Sequence, residues 1–217
     1  MKTGKLIGSG KYRDCYSIEG THLCAKKKRP FHFKLKYFRP GFFRDLNKEE
    51  FKVYSNMPPK LKEFFPSNYQ IEGSLLISER PRDYDGKYSK IIQEHGPVHN
   101  ISFWEDIDTI FNLLIEHKIW LFDIFNKGTN IMVQKVSEDV YKPVIIDCKK
   151  FGLKSYPLQL HLLFESELRK KLIRRLSYFH RRFKPESIVT KSEELRIKWV
   201  SQSQDSDQFF NKSTPIV

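Results

Sequence analysis

The 217 residues, with a mass of 25.9 kDa, fit one domain or at most two tightly joined lobes, and bury enough core that no disulfide staple is required. Lys and Arg number 39 against 26 Asp and Glu, and the resulting charge of +13 with a pI near 9.5 points to anionic partners: nucleotide, nucleic acid, or acidic membrane and glycolipid. A hydrophobic content of 39% with 14% aromatics excludes a disordered chain, and a mean hydropathy of -0.55 without a long apolar run excludes a membrane span.

Cys15, Cys24 and Cys148 are too few and too widely spaced for a disulfide framework or a zinc knuckle, so a reducing cytoplasm is the expected compartment. The opening MKTGKLIGSGKYR has a basic start with no apolar stretch after it, so no secretory signal is expected.

In chain order, residues 5–29 read as an antiparallel meander of three strands turning at Gly8-Ser9-Gly10 and at Glu19-Gly20-Thr21. A basic, aromatic segment, FHFKLKYFRPGFFRDL, leads to a helix predicted over 47–57, with Asn47 as its N-cap. After Pro58-Pro59 come a short helix and two strands, 69–72 and 75–78, separated by Gly73. The acidic turn Asp83-Tyr84-Asp85-Gly86 precedes short helical material and a central helix in ISFWEDIDTIFNLLIEHK, where Trp104, Ile107, Phe111 and Leu114 form one buried stripe. Extended runs at 130–136 and 143–146 read as a hairpin. A long amphipathic helix over 161–183 turns Leu172, Leu176, Phe179 and Phe183 inward, with Arg169, Lys170, Arg174, Arg175, Arg181 and Arg182 outward. From Ser187 a tail begins, with a short helix at 193–200 and the loosely ordered SQSQDSDQ.

Three motifs carry chemistry. Gly8 and Gly10 at a bend between strands let backbone N–H groups approach phosphate oxygens, although the same pattern also serves a plain hairpin. A Walker A loop is excluded, because Lys11 is followed by Tyr12 and no glycine stands five residues before Gly10. The next strand delivers Lys26 in Leu23-Cys24-Ala25-Lys26, the place of the lysine in the kinase pattern V-A-I-K. The helix from Asn47 offers it Glu50, with Glu49 as the alternate; Tyr54 and Met57 put Glu50 on the packed face. The competing reading of Lys26, Lys27, Lys28 and Arg29 is a solvated basic run. Finally, Asn130 opens one strand of the later hairpin and Asp147 closes the other, the order in which a kinase presents two oxygens to the Mg²⁺ of ATP. The motifs in this order predict an α+β, protein-kinase-like bilobal fold: a small antiparallel-sheet N-lobe with one helix over 1–82, a reduced, mainly helical C-lobe over 83–186, and a loosely ordered tail over 187–217.

The chain resembles the PhoP-regulated YrbL family of bacterial protein-kinase-like proteins, on IGSGKYRDCY with LCAK, LLISERPRDYDG, NKGTNIMV, and VIIDC followed by a basic helix, to about Phe183. The resemblance implies that Gly8 and Gly10 cover the phosphates, Lys26 contacts the α- and β-phosphates, and Glu50 pairs with Lys26. It implies further that Asn130 and Asp147 hold Mg²⁺, that Ser78, Glu79 and Arg80 form a hinge reading adenine, and that Cys15 and Cys24 pack against the ring. ATP and Mg²⁺ are the implied cofactors.

The departures are specific. Arg13 stands where kinases keep a third glycine, and Asp147-Cys148-Lys149 replaces D-F-G. The base expected five residues before Asn130 falls on Phe125, with Asp123 two residues further back. Either the loop carries an insertion that lets Asp123 serve as base, or the protein binds nucleotide without ordinary transfer, as a pseudokinase regulatory module. Apart from Lys26, the basic regions at 26–44 and 169–184 lie outside the motifs, so an anionic glycolipid or membrane surface is expected as a second partner, with nucleic acid as the alternative. The protein is expected in the cytoplasm, peripheral to the inner membrane face, acting on an unidentified hydroxyl acceptor.

Overall fold

A computed structural model describes residues 2–10, 12–29, 45–148 and 164–191. The basic aromatic segment over 30–44, the start of the last helix at 161–163, and the tail beyond 191 lie outside the described residues.

Strands β1 (Thr3–Ser9), β2 (Arg13–Ile18) and β3 (Leu23–Lys28) form the expected meander. Gly20 takes a positive φ of 71° at the second turn, the conformation glycine adopts without steric cost. Helix α1 (Leu46–Ser55) and the single turn α2 (Pro59–Lys62) follow, then β4 (Gln70–Glu72) and β5 (Leu75–Glu79). The five strands make one antiparallel sheet in the order β1-β2-β3-β5-β4, so β3 is central, and β4 is reached only after the excursion through α1.

Period-two alternation gives this sheet two different faces. Pairing of Cys15 with Lys26, Cys24 with Ser78 and Lys26 with Leu76 puts the thiols, the lysine and Arg13 on one face. Ile18, Ala25 and Ile77 form a small apolar cluster on the other, with Leu23 and Leu75 against it.

The N-cap of α1 is Asp45, whose carboxylate accepts from the Lys48 N–H at 3.1 Å, rather than Asn47. Asn47 is 2% exposed because its carboxamide is needed elsewhere: Nδ2 donates to the carbonyls of Lys26 (2.8 Å) and Ser74 (2.7 Å), locking the helix start to the sheet.

The second half is built on α4 (Ile101–Glu116), capped by Asn100, whose side chain accepts from the Phe103 N–H at 3.1 Å. All four stripe residues Trp104, Ile107, Phe111 and Leu114 are buried. A second antiparallel sheet holds β6 (Lys90–Ile91), β7 (Ile131–Lys135) and β8 (Tyr141–Ile145), with the single turn α3 (Ile92–His95) beside it. The two-residue β6 has no alternation to read in the sequence; it forms because Lys90 and Ile91 pair with Val133 and Met132. Helix α5 (Glu165–Phe183) packs Leu168, Leu172, Leu176, Phe179 and Phe183 inward, with Phe179 against Trp104 and Phe125. Arg169, Lys170, Arg174, Arg181 and Arg182 are exposed, but Arg175 turns in and donates to Asn126 Oδ1 at 3.0 Å.

One apolar cluster runs from Met57, Leu61, Tyr69 and Leu76 through α4 to α5. The Ile145 N–H donates to the Phe64 carbonyl at 2.7 Å, so β8 is tied to the segment after α2 and its end is held beneath the first sheet. No helix among the described residues is long and apolar enough to cross a membrane.

Candidate functional site

The end of β8, the middle of β3, the start of β2 and the inner face of α1 converge on four charged side chains. Lys26 Nζ donates to Glu50 Oε1 at 2.6 Å, with side-chain exposures of 15% and 1%. Glu49, the alternate, is not in this contact: it lies one residue round the helix, off the face that Leu46, Asn47 and Glu50 bury. Tyr69 donates its hydroxyl to the same Oε1, and Arg13 Nη2 binds Oε2. The Glu50 carboxylate thus takes three donors from three separate segments.

Arg13 is the organising residue. Its guanidinium reaches Asn47 Oδ1 at 3.0 Å, the Leu46 carbonyl at 3.5 Å, Glu50, and Asp147 Oδ1 at 2.9 Å. It is 8% exposed although it belongs to the most charged residue class, which the acceptors on every side make tolerable. Lys26 also donates to the Ile146 carbonyl, so both cations clasp the end of β8.

Burial opposes the charge on Lys26, but Glu50 and Asp147 outweigh it and hold the ammonium above its ordinary range. Arg13 follows the same pattern, burial opposed first by Glu50 and then by Asp147. Burial, joined by the neighbouring Asp147 carboxylate, leaves the Glu50 carboxyl above its ordinary range although Lys26 and Arg13 pull it down. Two cations and two carboxyls are therefore paired with one another, the condition under which buried charge is stable.

Asn130 lies next to this set. The Ile146 N–H donates to its backbone oxygen at 3.0 Å, joining the two ends of the β7–β8 hairpin. Its side chain is committed to its own loop: Nδ2 donates to the Asp123 carbonyl at 2.9 Å and Oδ1 accepts from the Thr129 hydroxyl at 3.3 Å. Asp123 itself is half-buried at the head of that loop. Phe125, by contrast, is 0% exposed and packs on Phe111 and Phe179, so the position five before Asn130 is a core position.

Mg²⁺ needs near-octahedral oxygen donors presented together. Asn130 and Asp147 do not offer that: Arg13 already holds Asp147 Oδ1, and Thr129 already donates to Asn130 Oδ1. In this arrangement the pair does not fit the ion. Among the described residues no three His, Cys, Asp or Glu side chains converge as metal ligands.

At the hairpin tip, the Gly10 N–H donates to the Arg13 carbonyl at 2.8 Å, and Arg29 reaches the Gly10 carbonyl at 3.2 Å. A Cβ at Gly10 would lie 3.1 Å from the Arg13 oxygen, whereas one at Gly8 would meet nothing within 4 Å. Cys15 and Cys24 lie on the same face of neighbouring strands, and Cys24 Sγ lies 3.6 Å from Ser78 Oγ. The neighbouring Cys15 thiol, then Ser78 and the nearby Lys26 and Arg80, hold the Cys24 thiol below its ordinary range against burial. Along the strand expected to read adenine, the Glu79 and Arg80 N–H groups donate to the Ser67 and His22 carbonyls, both at 2.9 Å. The Arg80 guanidinium stacks 3.5 Å over the Tyr88 ring.

Lys26, Glu50 and Asp147 are thus brought together, with Asn130 alongside. Asn47 and Tyr69 belong to the same network and were not read from the sequence. Asn47 sits one turn before Glu50 on the same helical face, a signal that was present; Tyr69 arrives from a distant segment and left none. In comparison with known proteins, the chain matches no family model and no curated protein.

Proposed function

We propose that the chain is a kinase-like nucleotide-binding protein in which Lys26 receives the phosphates and Glu50 holds that lysine in place. The observation that carries this reading is the 2.6 Å bond between Lys26 on the third strand and Glu50 on the first helix, set against Asp147 at the end of a later hairpin. Protein kinases place a β3 lysine and a helix glutamate in this relation, with an aspartate and an asparagine on the far side of the nucleotide. The strand order with a helix between β3 and β4 agrees with that bilobal arrangement, as does the resemblance to the YrbL family.

Transfer of the γ-phosphate to a hydroxyl would fall to Asp123 as base, since Asn130 anchors the loop at the Asp123 carbonyl. The exposed arginines and lysine of α5 favour an anionic acceptor, such as a glycolipid or a membrane-surface headgroup. A binding module without transfer is the second reading, favoured by the Arg13 guanidinium on the aspartate that kinases give to metal.

Calorimetric titration of the full chain with ATP and ADP, in Mg²⁺ and in EDTA, tests the reading. Binding that weakens at least about tenfold in Lys26→Ala supports it; no binding in either buffer, or binding indifferent to Lys26→Ala, sinks it. Phosphate release or transfer that Asp123→Asn removes separates the enzyme from the binding module.

A further inference from the structure

We infer that Arg13 is a built-in counter-ion standing where a divalent cation would otherwise sit, so that this cleft binds the free polyphosphate of a nucleotide rather than its metal chelate. The inference rests on the nucleotide reading above.

The geometry is that of a fixed cation. Four acceptors surround the guanidinium: Asn47 Oδ1 at 3.0 Å, the Leu46 carbonyl at 3.5 Å, the Glu50 carboxylate, and Asp147 Oδ1 at 2.9 Å. Three of them come from α1, so Arg13 cannot withdraw without leaving Glu50 short of a donor inside the protein. The guanidinium keeps its proton at every working pH, unlike a lysine in the same place.

Charge decides what this cation excludes. Arg13 and Lys26 balance Glu50 and Asp147, so the carboxylate pair has no negative charge left uncompensated for a divalent ion. A metal approaching Asp147 would meet a guanidinium 2.9 Å from the oxygen it needs and two cations clasping the same strand end. A polyphosphate needs no carboxylate oxygen from this set. It reaches a site where two cations are already desolvated and oriented, and it attracts both without having to order them.

Position adds a second argument. Arg13 opens β2, and its own carbonyl accepts the Gly10 N–H at 2.8 Å. The glycine tip that would cover the phosphates is therefore pinned to the residue that supplies the charge. An arginine at the third-glycine position removes the freedom of that site and puts a permanent cation at its base.

The test compares nucleotide affinity of the full chain in EDTA and in Mg²⁺, for wild type, Arg13→Gln and Asp147→Asn, with thermal melting to check that each folds. Wild type should bind ATP and ADP with affinities that differ by less than about threefold between the buffers. Arg13→Gln should bind at least about tenfold more weakly in EDTA and regain affinity in Mg²⁺, since Asp147 is then open to the ion. Should Arg13→Gln not fold, Asp147→Asn carries the test: it should bind at least as tightly as wild type in both buffers, because Asp147 holds Arg13 and not metal. Wild-type affinity that rises about tenfold or more with Mg²⁺, or an Asp147→Asn protein that loses binding, overturns the inference. So does binding by Arg13→Gln where wild type binds in neither buffer, which would make Arg13 a plug. Absence of binding by every protein in both buffers removes the nucleotide reading itself.

Discussion

The carboxamide of Asn130 donates to the backbone oxygen of Asp123 at 2.9 Å, closing a loop whose later end is joined to Ile146 beside the charged cluster. Inside that loop Gly128 takes a φ of 73°, and a Cβ there would lie 2.6 Å from Phe183 Cζ and 2.7 Å from Ile92 Cγ2. The loop thus passes between α3 and α5 through a gap that only glycine fits. Gly128→Ala should lower stability by about 3 kcal/mol, from overpacking together with the left-handed backbone. Urea denaturation measures it, and an unchanged midpoint would show that the gap is not filled as described.

Glu50 and Lys26 should not be equivalent in stability. Glu50→Ala leaves Lys26, Arg13 and Tyr69 without their shared acceptor at a buried site, a loss of about 3–5 kcal/mol. Lys26→Ala leaves Glu50 with Arg13 and Tyr69, so about 1–2 kcal/mol is expected. Equal losses in denaturant melts would contradict the shared carboxylate.

Installing an acid at the position where kinases keep their base should fail. Phe125 is fully buried between Phe111 and Phe179, so Phe125→Asp places a carboxylate in the apolar core at a cost of more than about 4 kcal/mol. Half-buried Asp123 tolerates Asp123→Asn with its melting temperature within about 3 °C of wild type. A folded, nucleotide-active Phe125→Asp protein would mean that the loop can be rethreaded.

His95, edge-on to the Tyr141 ring at 6.2 Å, has its pKa lowered from 6.5, chiefly by burial. The folded protein then binds this proton less readily than the unfolded chain. The contribution of His95 is complete above pH 6.5 and is lost as pH falls through the depressed folded value. Melting temperatures measured from pH 7.5 down to about pH 5 should fall more steeply for wild type than for His95→Gln. Parallel curves would assign the acid sensitivity to other groups.

Much of the fold was legible because it follows from local periodicity. The apolar stripe of α4, the inward leucines and phenylalanines of α5, and the meander of β1 to β3 each appear in contiguous residues. The N-cap of α1 was misplaced by two residues, since Asn47 and Asp45 are both good caps and only the sheet claims Asn47. Arg175 was expected outward with its neighbours, and its inward turn depends on Asn126, far away in the chain. Strand β6 has too few residues to carry a pattern and exists only as a partner of β7.

What the sequence by itself determined is the meander of the first three strands and the helix that offers Lys26 a carboxylate, with Glu50 preferred over Glu49, because these follow from contiguous residues and helical spacing. Which charge stands at Asp147 was decided only in three dimensions. Arg13 and Asp147 are 134 residues apart, and nothing local to either records the other. An arginine after a glycine turn reads equally as a solvated cation. Its burial follows from the packing of α1 across the sheet, which brings Asn47 and Glu50 within reach and lets a guanidinium leave water by exchanging it for four protein acceptors.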